Sequence, residues 1–329
     1  MMRNGVISGG ILLLLIALVL VSLLAGRVWL PPTQLWHALW LPGPQFPTLI
    51  VSQLRLPRAV LALMIGAALG LSGAVLQGVT RNPLAEPGLL GVSEGAALGA
   101  VIAIYFGLAR HFAVVAPLLG IFGALGASVL TFSLGRGGGT IALILAGAAV
   151  SSLATACIAL ALNLAPNPYA ANEIMTWLMG SLADRSWLQV LLILPLVFAG
   201  SLMLALTARG LDALSLGEVQ ARSLGINLQR LHALALFGTA LAIGASTAVT
   251  GVVGFVGLVA PHLVRPLVGH QPSRVLLPAA LLGALLLLGA DIGTRLIRFG
   301  PELKLGVFTS LVGTPFFFWL VVRLRKSAP

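Results

Sequence analysis

Acidic side chains are the first place to look for chemistry in this sequence, and there are only eight among 329 residues. They are scattered, whereas acid–base catalysis and metal binding need side chains that can be brought together. The glycine-rich stretch at 136–140 (RGGGT) lacks the lysine and the spacing of a phosphate-binding loop. Cys157 is the only cysteine, so no disulfide or cysteine-based metal site is possible within one chain. We therefore predict no catalytic residue, no bound metal and no cofactor.

Glu94 and Asp291 are the acids closest to long apolar segments, where an ion-coupled carrier would place an ion-binding or proton-transfer group. Both fall near the predicted ends of these segments, and a helix end can stabilise a charged side chain without any role in transport. We favour this structural interpretation over a proton relay. The energy for transport would then come from another subunit.

The composition places most of the chain in lipid. Hydrophobic residues make up 59% of the sequence and charged residues only 8%, with a mean hydropathy of +1.07. A membrane span needs roughly 20 apolar residues, and such runs recur along the whole chain. We predict one all-α polytopic membrane domain over residues 1–329, whose first span is retained and is not a signal peptide. The predicted spans are 6–26, 57–78, 89–108, 112–134, 141–164, 188–208, 229–249, 252–268, 275–294 and 306–323.

A faint internal repeat relates two parts of the chain. In both copies a glycine-rich span leads into a break marked by proline. Duplicated halves are common in transporters, although chance matches among so many Gly and Val residues would look the same. The first copy contains Gly66, Ser72, Gly73, Val75, Pro83 and Gly91, and the second contains Gly244, Thr250, Gly251, Val253, Pro261 and Gly269.

The net charge of +11 comes from 19 Lys and Arg residues scattered singly, without the basic runs and interleaved aromatic residues of a nucleic-acid site.

Ten spans place both termini on one side of the membrane. Eleven basic residues fall on that side and eight on the other, which favours cytoplasmic termini. Eight cations on an outer face suggest an acidic docking partner. These eight are Arg27, Arg55, Arg58, Arg110, Arg185, Arg295, Arg298 and Lys304.

Four stretches carry a resemblance to a known family. The longest is RLPRAVLALMIGAALGLSGAVLQGVTRNPLAEPGLLGV at 55–92. The others are SLGEVQARSLG at 215–225, GFVGLVAPHLVR at 254–265 and PELKLGVFTSLVGTPFFFWL at 301–320. These four stretches occur in this order over nearly the whole chain. Through them the chain resembles the FecCD family of ABC-importer permeases.

The resemblance implies the type II ABC importer permease fold, with about ten transmembrane helices in each subunit. It implies a homodimeric permease in the bacterial inner membrane with both termini cytoplasmic. Two separate cytoplasmic ATPase subunits would bind ATP and Mg, and a periplasmic binding protein would deliver the substrate.

Three arginines resemble the residues with which these permeases pair with glutamates on the binding protein: Arg55, Arg58 and Arg295. Pairing of this kind sets orientation and on-rate, and it weakens with salt. The residues alone favour another interpretation, in which arginines at span ends extend towards lipid phosphates. The resemblance favours docking.

The segment at 215–225 resembles the coupling helix that contacts the ATPase. Its small residues predict a short, closely packed helix outside the bilayer, although on the residues alone a loop lying on the lipid headgroups is an equal alternative. The resemblance assigns the ATPase contact to Gly217, Glu218, Ala221, Leu224 and Gly225.

The resemblance also places the cytoplasmic gate at Asn82 and Leu84, in a turn stiffened by prolines, and at Thr140 and Ile141. Ile141 departs from the small polar residue of the vitamin B12 permeases. The span that follows is rich in Ala, Ser and Gly, and its plain wall would let a large substrate pass without tight binding. The residues expected to line the path are Gly147, Ser151 and Ser152.

The function implied is import of a bulky metal chelate, namely haem, a ferric siderophore or cobalamin. Residues 172–187 and 301–306 resemble haem permeases more closely, which favours haem. An ion-coupled secondary transporter is the alternative from another class, and it predicts transport without an ATPase. A membrane enzyme or assembly factor is disfavoured because the sequence contains no cluster of polar side chains that could carry out chemistry.

Overall fold

The computed structural model describes residues 2–26, 28–40, 46–112, 114–297 and 302–326, and these contain helices but no strand. Two of the outer cations, Arg27 and Arg298, lie outside the described residues. The main helices are α1 (Met2–Leu24), α2 (Pro32–Trp40), α3 (Leu56–Thr80), α4 (Val92–Tyr105), α5 (Val115–Gly135), α6 (Gly139–Asn163), α7 (Pro168–Leu178), α8 (Trp187–Leu206), α9 (Ala208–Leu214), α10 (Glu218–Ser223), α11 (Leu228–Thr239), α12 (Ala245–Thr250), α13 (Val256–Val268), α14 (Pro272–Leu296) and α15 (Leu305–Lys326).

Seven helical segments in the described part of the chain are long and apolar enough to cross a membrane, and α4, α13 and α15 contain shorter apolar helices. Each of the ten predicted spans overlaps one of these ten segments. The all-α membrane fold is confirmed. The number of ten crossings stays a prediction, because α4 has 14 residues and α13 has 13, whereas a full span takes roughly 20.

Prolines account for two differences between the predicted and the observed helices. The span predicted from residue 57 begins earlier, because the helix runs from Pro47 through a π-helical stretch, Ile50–Arg55, into α3. Pro57 is accommodated inside this continuous helical stretch, directly after the π-helical turn. Further along, Pro261 lies inside α13 and does not mark a break.

The internal repeat is therefore only partly reproduced. Both copies contain a long helix that ends in a residue with positive φ, Arg81 in the first and Gly251 in the second. The proline of the first copy, Pro83, follows that helix end in a turn, but its counterpart lies within the next helix. The correspondence thus holds for the helix and its end, and it fails beyond them.

The centre of the fold is the close crossing of α3 and α14. A β-carbon added at Gly70 would lie 2.1 Å from the carbonyl oxygen of Ala279, and one added at Gly66 would lie 2.5 Å from that of Gly283. Small residues let the two backbones touch, as in many membrane helix pairs. This contact fixes the relative positions of the two ends of the bundle.

Replacing Gly70 with alanine should destabilise the protein by about 1–3 kcal/mol, because the added methyl group meets backbone that cannot move aside. The matched control is Gly126→Ala in α5, where nothing lies within 4 Å of the added β-carbon. Thermal unfolding of both variants in lipid nanodiscs measures the difference. Equal midpoints for the two variants would contradict the account of this crossing.

Apolar side chains project outwards from α6 and α8. Ile141, Leu145 and Leu153 on α6 are exposed, as are Leu191 and Phe198 on α8. Faces of this kind need lipid or another apolar protein surface, because water would not favour them.

Candidate functional site

The bundle has two polar ends, joined by α3 and α14. At one end, the start of α3 lies beside the last turns of α14, since Arg58 bonds to Asp291; this is named the Arg55 end. At the other, the start of α14 is held by Asp212, whose carboxylate accepts hydrogen bonds from the Ser273 backbone N–H (2.9 Å) and hydroxyl (2.7 Å). This is named the Glu218 end, because α9, which contains Asp212, leads directly into α10.

Arg55 binds the end of α1. Its Nη1 atom donates to the carbonyl oxygens of Leu23 (2.7 Å) and Leu24 (2.8 Å), and its Nη2 atom donates to that of Val28 (2.6 Å). The last carbonyls of a helix lack partners within the helix, so a cation there satisfies them and interacts favourably with the helix dipole. Arg55 therefore holds α1 against the start of α3.

Asp291 connects the other two predicted docking arginines. It is fully buried, and its carboxylate accepts a hydrogen bond from Arg58 Nε (2.8 Å) and another from Arg295. Arg58 also pairs with Glu302, and Arg295 donates to the carbonyl oxygen of Ser22 (3.0 Å). The favoured structural role of Asp291 agrees with this network, because its charge is compensated within the protein.

The three arginines thus lie together but are bonded inside the chain. Arg55 and Arg295 are each only 8% exposed, which is less than expected for either free docking or contact with lipid phosphates. They share the wall of a cavity of about 660 Å³ with Arg58, Arg185 and Glu302. Their docking role stays a prediction, and a partner would have to reach them through this cavity.

The segment at 215–225 forms a six-residue helix, α10, with its small residues at its ends and on its buried side. Gly217 and Gly225 have positive φ and mark the two ends of the helix. Ala221 is fully buried in the main core of its own chain, so it cannot touch an ATPase directly. The outward-facing side chains are the large apolar ones: Leu216, Val219 and Leu224 are all more than 60% exposed.

Glu218 connects α10 to α6, two elements that the sequence did not relate. Its Oε1 atom accepts a hydrogen bond from the backbone N–H of Thr140 (3.1 Å), at the start of α6. The backbone and the side chain of Thr140, in that order, hold the pKa of Glu218 below its usual value, so the carboxylate stays charged at neutral pH. The Thr140 Oγ1 atom lies 3.3 Å from Nε2 of His232 on α11.

Close backbone approach makes this contact possible. Gly139 has φ of +70°, and a β-carbon there would lie 3.0 Å from Oε2 of Glu218. The positive φ favours glycine, and any larger residue would also push the Glu218 carboxylate aside. The sequence-based prediction named Thr140 and Glu218 separately and missed Gly139 and His232; the glycine run at 136–140 was the one signal for this site.

The predicted gate turn packs against the predicted path. Asn82 Oδ1 accepts a hydrogen bond from the Leu84 backbone N–H (2.9 Å), which closes a tight turn after α3. The following 3₁₀ turn, Pro87–Leu90, contacts α6 at Gly147, where an added β-carbon would lie 2.5 Å from the Leu89 carbonyl oxygen.

The remaining predicted path and gate residues vary in exposure. Ser151 is partly buried, whereas Ser152 and Ile141 are exposed on α6. Thr140 itself is only 5% exposed, so a direct gating role would require α6 to move. In the part of the chain that the structure describes, no three His, Cys, Asp or Glu side chains are grouped so that they could hold a metal ion.

Comparison with known proteins identifies the class of protein. The model of the FecCD transport family matches residues 14–323. The chain is 39% identical to the hemin transport system permease protein HmuU of Yersinia pestis, covering 97% of this chain and 96% of that protein. It is 40% identical to the vitamin B12 import system permease protein BtuC of Klebsiella pneumoniae, covering 96% of this chain and 93% of that one.

A solved structure agrees with these relatives. An ABC transporter assigned to the metal-chelate type, in an inward-facing conformation, has a TM-score of 0.82 and 33% identity, covering 97% of this chain and 99% of that chain. The chain is thus the permease subunit of a type II ABC importer, and ATP hydrolysis belongs to a separate subunit. It belongs to the FecCD transport family.

Proposed function

We propose that this permease imports a bulky metal chelate through a path formed by two copies of the chain in a bacterial inner membrane. The observation that carries the proposal is full-length similarity, at nearly equal identity, to permeases of a hemin system and of a vitamin B12 system. The exposed apolar face of α6 supports a second copy, because it offers an apolar surface beside the predicted path.

Haem is the proposed cargo, ahead of a ferric siderophore or cobalamin. The resemblance of residues 172–187 and 301–306 to haem permeases supports this choice, and the similarity to relatives of both kinds does not separate the candidates. The test is uptake into proteoliposomes containing the permease, its ATPase and its binding protein, with each of the three chelates offered in turn. Uptake of cobalamin or a siderophore without uptake of haem would overturn the choice.

The Glu218 end is the proposed cytoplasmic, ATPase-facing end, and both termini lie on that side. The gate at Asn82, Leu84, Thr140 and Ile141 belongs to the same end in this orientation. The binding protein docks at the Arg55 end, where Arg55, Arg58 and Arg295 line the open cavity.

The exposed apolar side chains on and beside α10 provide a test of the ATPase contact. Val219→Glu places a charge on a side chain that is 73% exposed, so the fold should tolerate it while the apolar contact is lost. We expect the affinity for the ATPase to fall at least about tenfold, measured by co-purification and titration in nanodiscs. Val219→Ala keeps the surface apolar and should lose much less affinity for the ATPase. Equal affinities for both variants would contradict this contact.

A further inference from the structure

Arg185 is a partly buried cation that makes no ion pair with a described residue. It lies between α7 and α8 at the Arg55 end, and its Nε atom is buried and has no hydrogen-bond partner. Its guanidinium group makes no ion pair within 4 Å with any described residue. Burial lowers the pKa of Arg185, and the nearby Asp184 opposes this only in part, yet a guanidinium group stays charged at physiological pH. A partly buried charge with an unsatisfied buried donor atom is unfavourable, so its presence needs an explanation.

Arg185 lies where two cavities meet. One is the 660 Å³ cavity that also contains the three predicted docking arginines. The other, of about 550 Å³, is lined by Arg185, Ser181 and Thr250, the last residue of α12, among others. Arg185 can therefore contact a molecule in either cavity.

The second cavity carries a net charge of +1, because Arg110, Arg185 and Lys304 line it together with the two acids Glu173 and Asp184. Of its cations, Arg110 pairs with Glu173 at 3.8 Å, whereas Lys304, like Arg185, makes no ion pair within 4 Å with a described residue. An arginine recognises a carboxylate through two parallel hydrogen bonds, and a nearby lysine adds charge without fixed geometry. The pair therefore fits a small carboxylate-bearing molecule.

An apolar cavity of about 630 Å³ lies on the other side of the same loop. It is lined by Leu178, Met179, Val307, Leu311 and Pro315, among others. The intervening backbone is fixed by hydrogen bonds from Leu305 N to Gly180 O (2.9 Å) and from Ser181 N to Thr250 O (2.7 Å). A cationic cavity and an apolar one thus lie side by side across residues 178–181.

We propose that Arg185, assisted by Lys304, binds a carboxylate of the transported chelate at the outer entrance of the path, while the apolar cavity accommodates its apolar body. The inference rests on the proposed import of a metal chelate and narrows the cargo to amphiphilic chelates with free carboxylates. Haem has two such groups on an apolar ring, whereas the side chains of cobalamin are amides.

The test compares haemin with its dimethyl ester, which lacks free carboxylates. Binding to the permease–ATPase complex in nanodiscs is measured by quenching of tryptophan fluorescence, since Trp177 lines the cationic cavity. Arg185→Gln should weaken haemin binding at least about tenfold, and Arg185→Lys should weaken it less, because lysine keeps the charge. Neither variant should change binding of the ester. Arg209→Gln, at an exposed arginine in α9, is the control for loss of one positive charge and should bind haemin as the wild type does.

Each outcome decides the inference. Equal haemin binding by Arg185→Gln and the wild type would overturn it, and so would an equal loss for haemin and the ester, because that result indicates structural damage. A lower thermal midpoint for Arg185→Gln would point to the same damage. Wild-type uptake of cobalamin without haemin would overturn the carboxylate inference while leaving the importer intact. Absence of ATP-driven uptake of every chelate would contradict the proposed function, and the binding measurement would then decide this site by itself.

Discussion

Replacing Asp291 with asparagine is expected to lower the free energy of unfolding by about 3–5 kcal/mol. Asp291 is fully buried between Arg58 and Arg295, and its carboxylate is bonded to both. Asparagine has nearly the same size but no charge, so Arg295 loses its paired carboxylate and Arg58 retains only Glu302. Removal of one partner from a buried ionic group leaves uncompensated charge, which is more damaging than removal of the whole group.

The measurement is thermal unfolding of the purified permease in nanodiscs, with Glu173→Gln as the matched control. Glu173 also pairs with an arginine, but that pair is 3.8 Å apart and its side chains are 58% and 43% exposed. Loss of an exposed pair should change stability by less than about 1 kcal/mol. If Asp291→Asn unfolds at the same midpoint as the control, Asp291 does not hold this end of the bundle together.

Replacing Glu218 with alanine is expected to uncouple ATP hydrolysis from uptake. Glu218 lies on the segment proposed to contact the ATPase, and its carboxylate accepts a hydrogen bond from the first turn of α6, the helix proposed to carry the gate. If the ATPase moves α10, this bond transmits the movement to Thr140. We expect uptake for each ATP hydrolysed to fall at least about tenfold, while ATP hydrolysis continues.

Two further variants separate coupling from stability. Glu218→Gln keeps an oxygen that can accept from Thr140 and should retain more coupling than Glu218→Ala. Asn167→Ala removes a similar hydrogen bond at the start of α7, where the Asn167 side chain accepts from Ala170 N (2.9 Å), and should cost stability by about 1 kcal/mol without uncoupling. If uptake and ATP hydrolysis fall together in Glu218→Ala, the effect is structural. That result would contradict the claim that this hydrogen bond transmits movement from α10 to α6.

The membrane fold could be predicted from sequence because lipid requires long apolar helices, and these are visible as runs of residues. All ten predicted spans overlap apolar helices for this reason. Their ends were less predictable where prolines occur: Pro57 lies within a continuous helical stretch because a π-helical turn precedes it, and Pro261 lies inside α13. Local residue type does not reveal whether neighbouring structure accommodates a proline.

The sequence named residues at both ends of the bundle but could not show the contacts between them, for one physical reason. Periodicity and motif spacing are local, whereas the contacts of Arg58 with Asp291 and of Thr140 with Glu218 join residues 233 and 78 positions apart. The sequence indicated that Asp291 is structural but could not show its partners. It identified α10, but it could not show that Ala221 faces inwards and Val219 outwards, because a six-residue helix has too few turns to reveal a buried face.

The central claim is that this chain moves its cargo with energy from a separate ATPase, and reconstituted transport tests it most directly. Proteoliposomes would contain the permease with its ATPase and binding protein, and haem uptake would be followed with ATP, with a non-hydrolysable ATP analogue, and with an ionophore that collapses ion gradients. We predict uptake that requires both the ATPase and ATP hydrolysis and that persists with the ionophore. Uptake by the permease alone, driven by an ion gradient and abolished by the ionophore, would contradict the account.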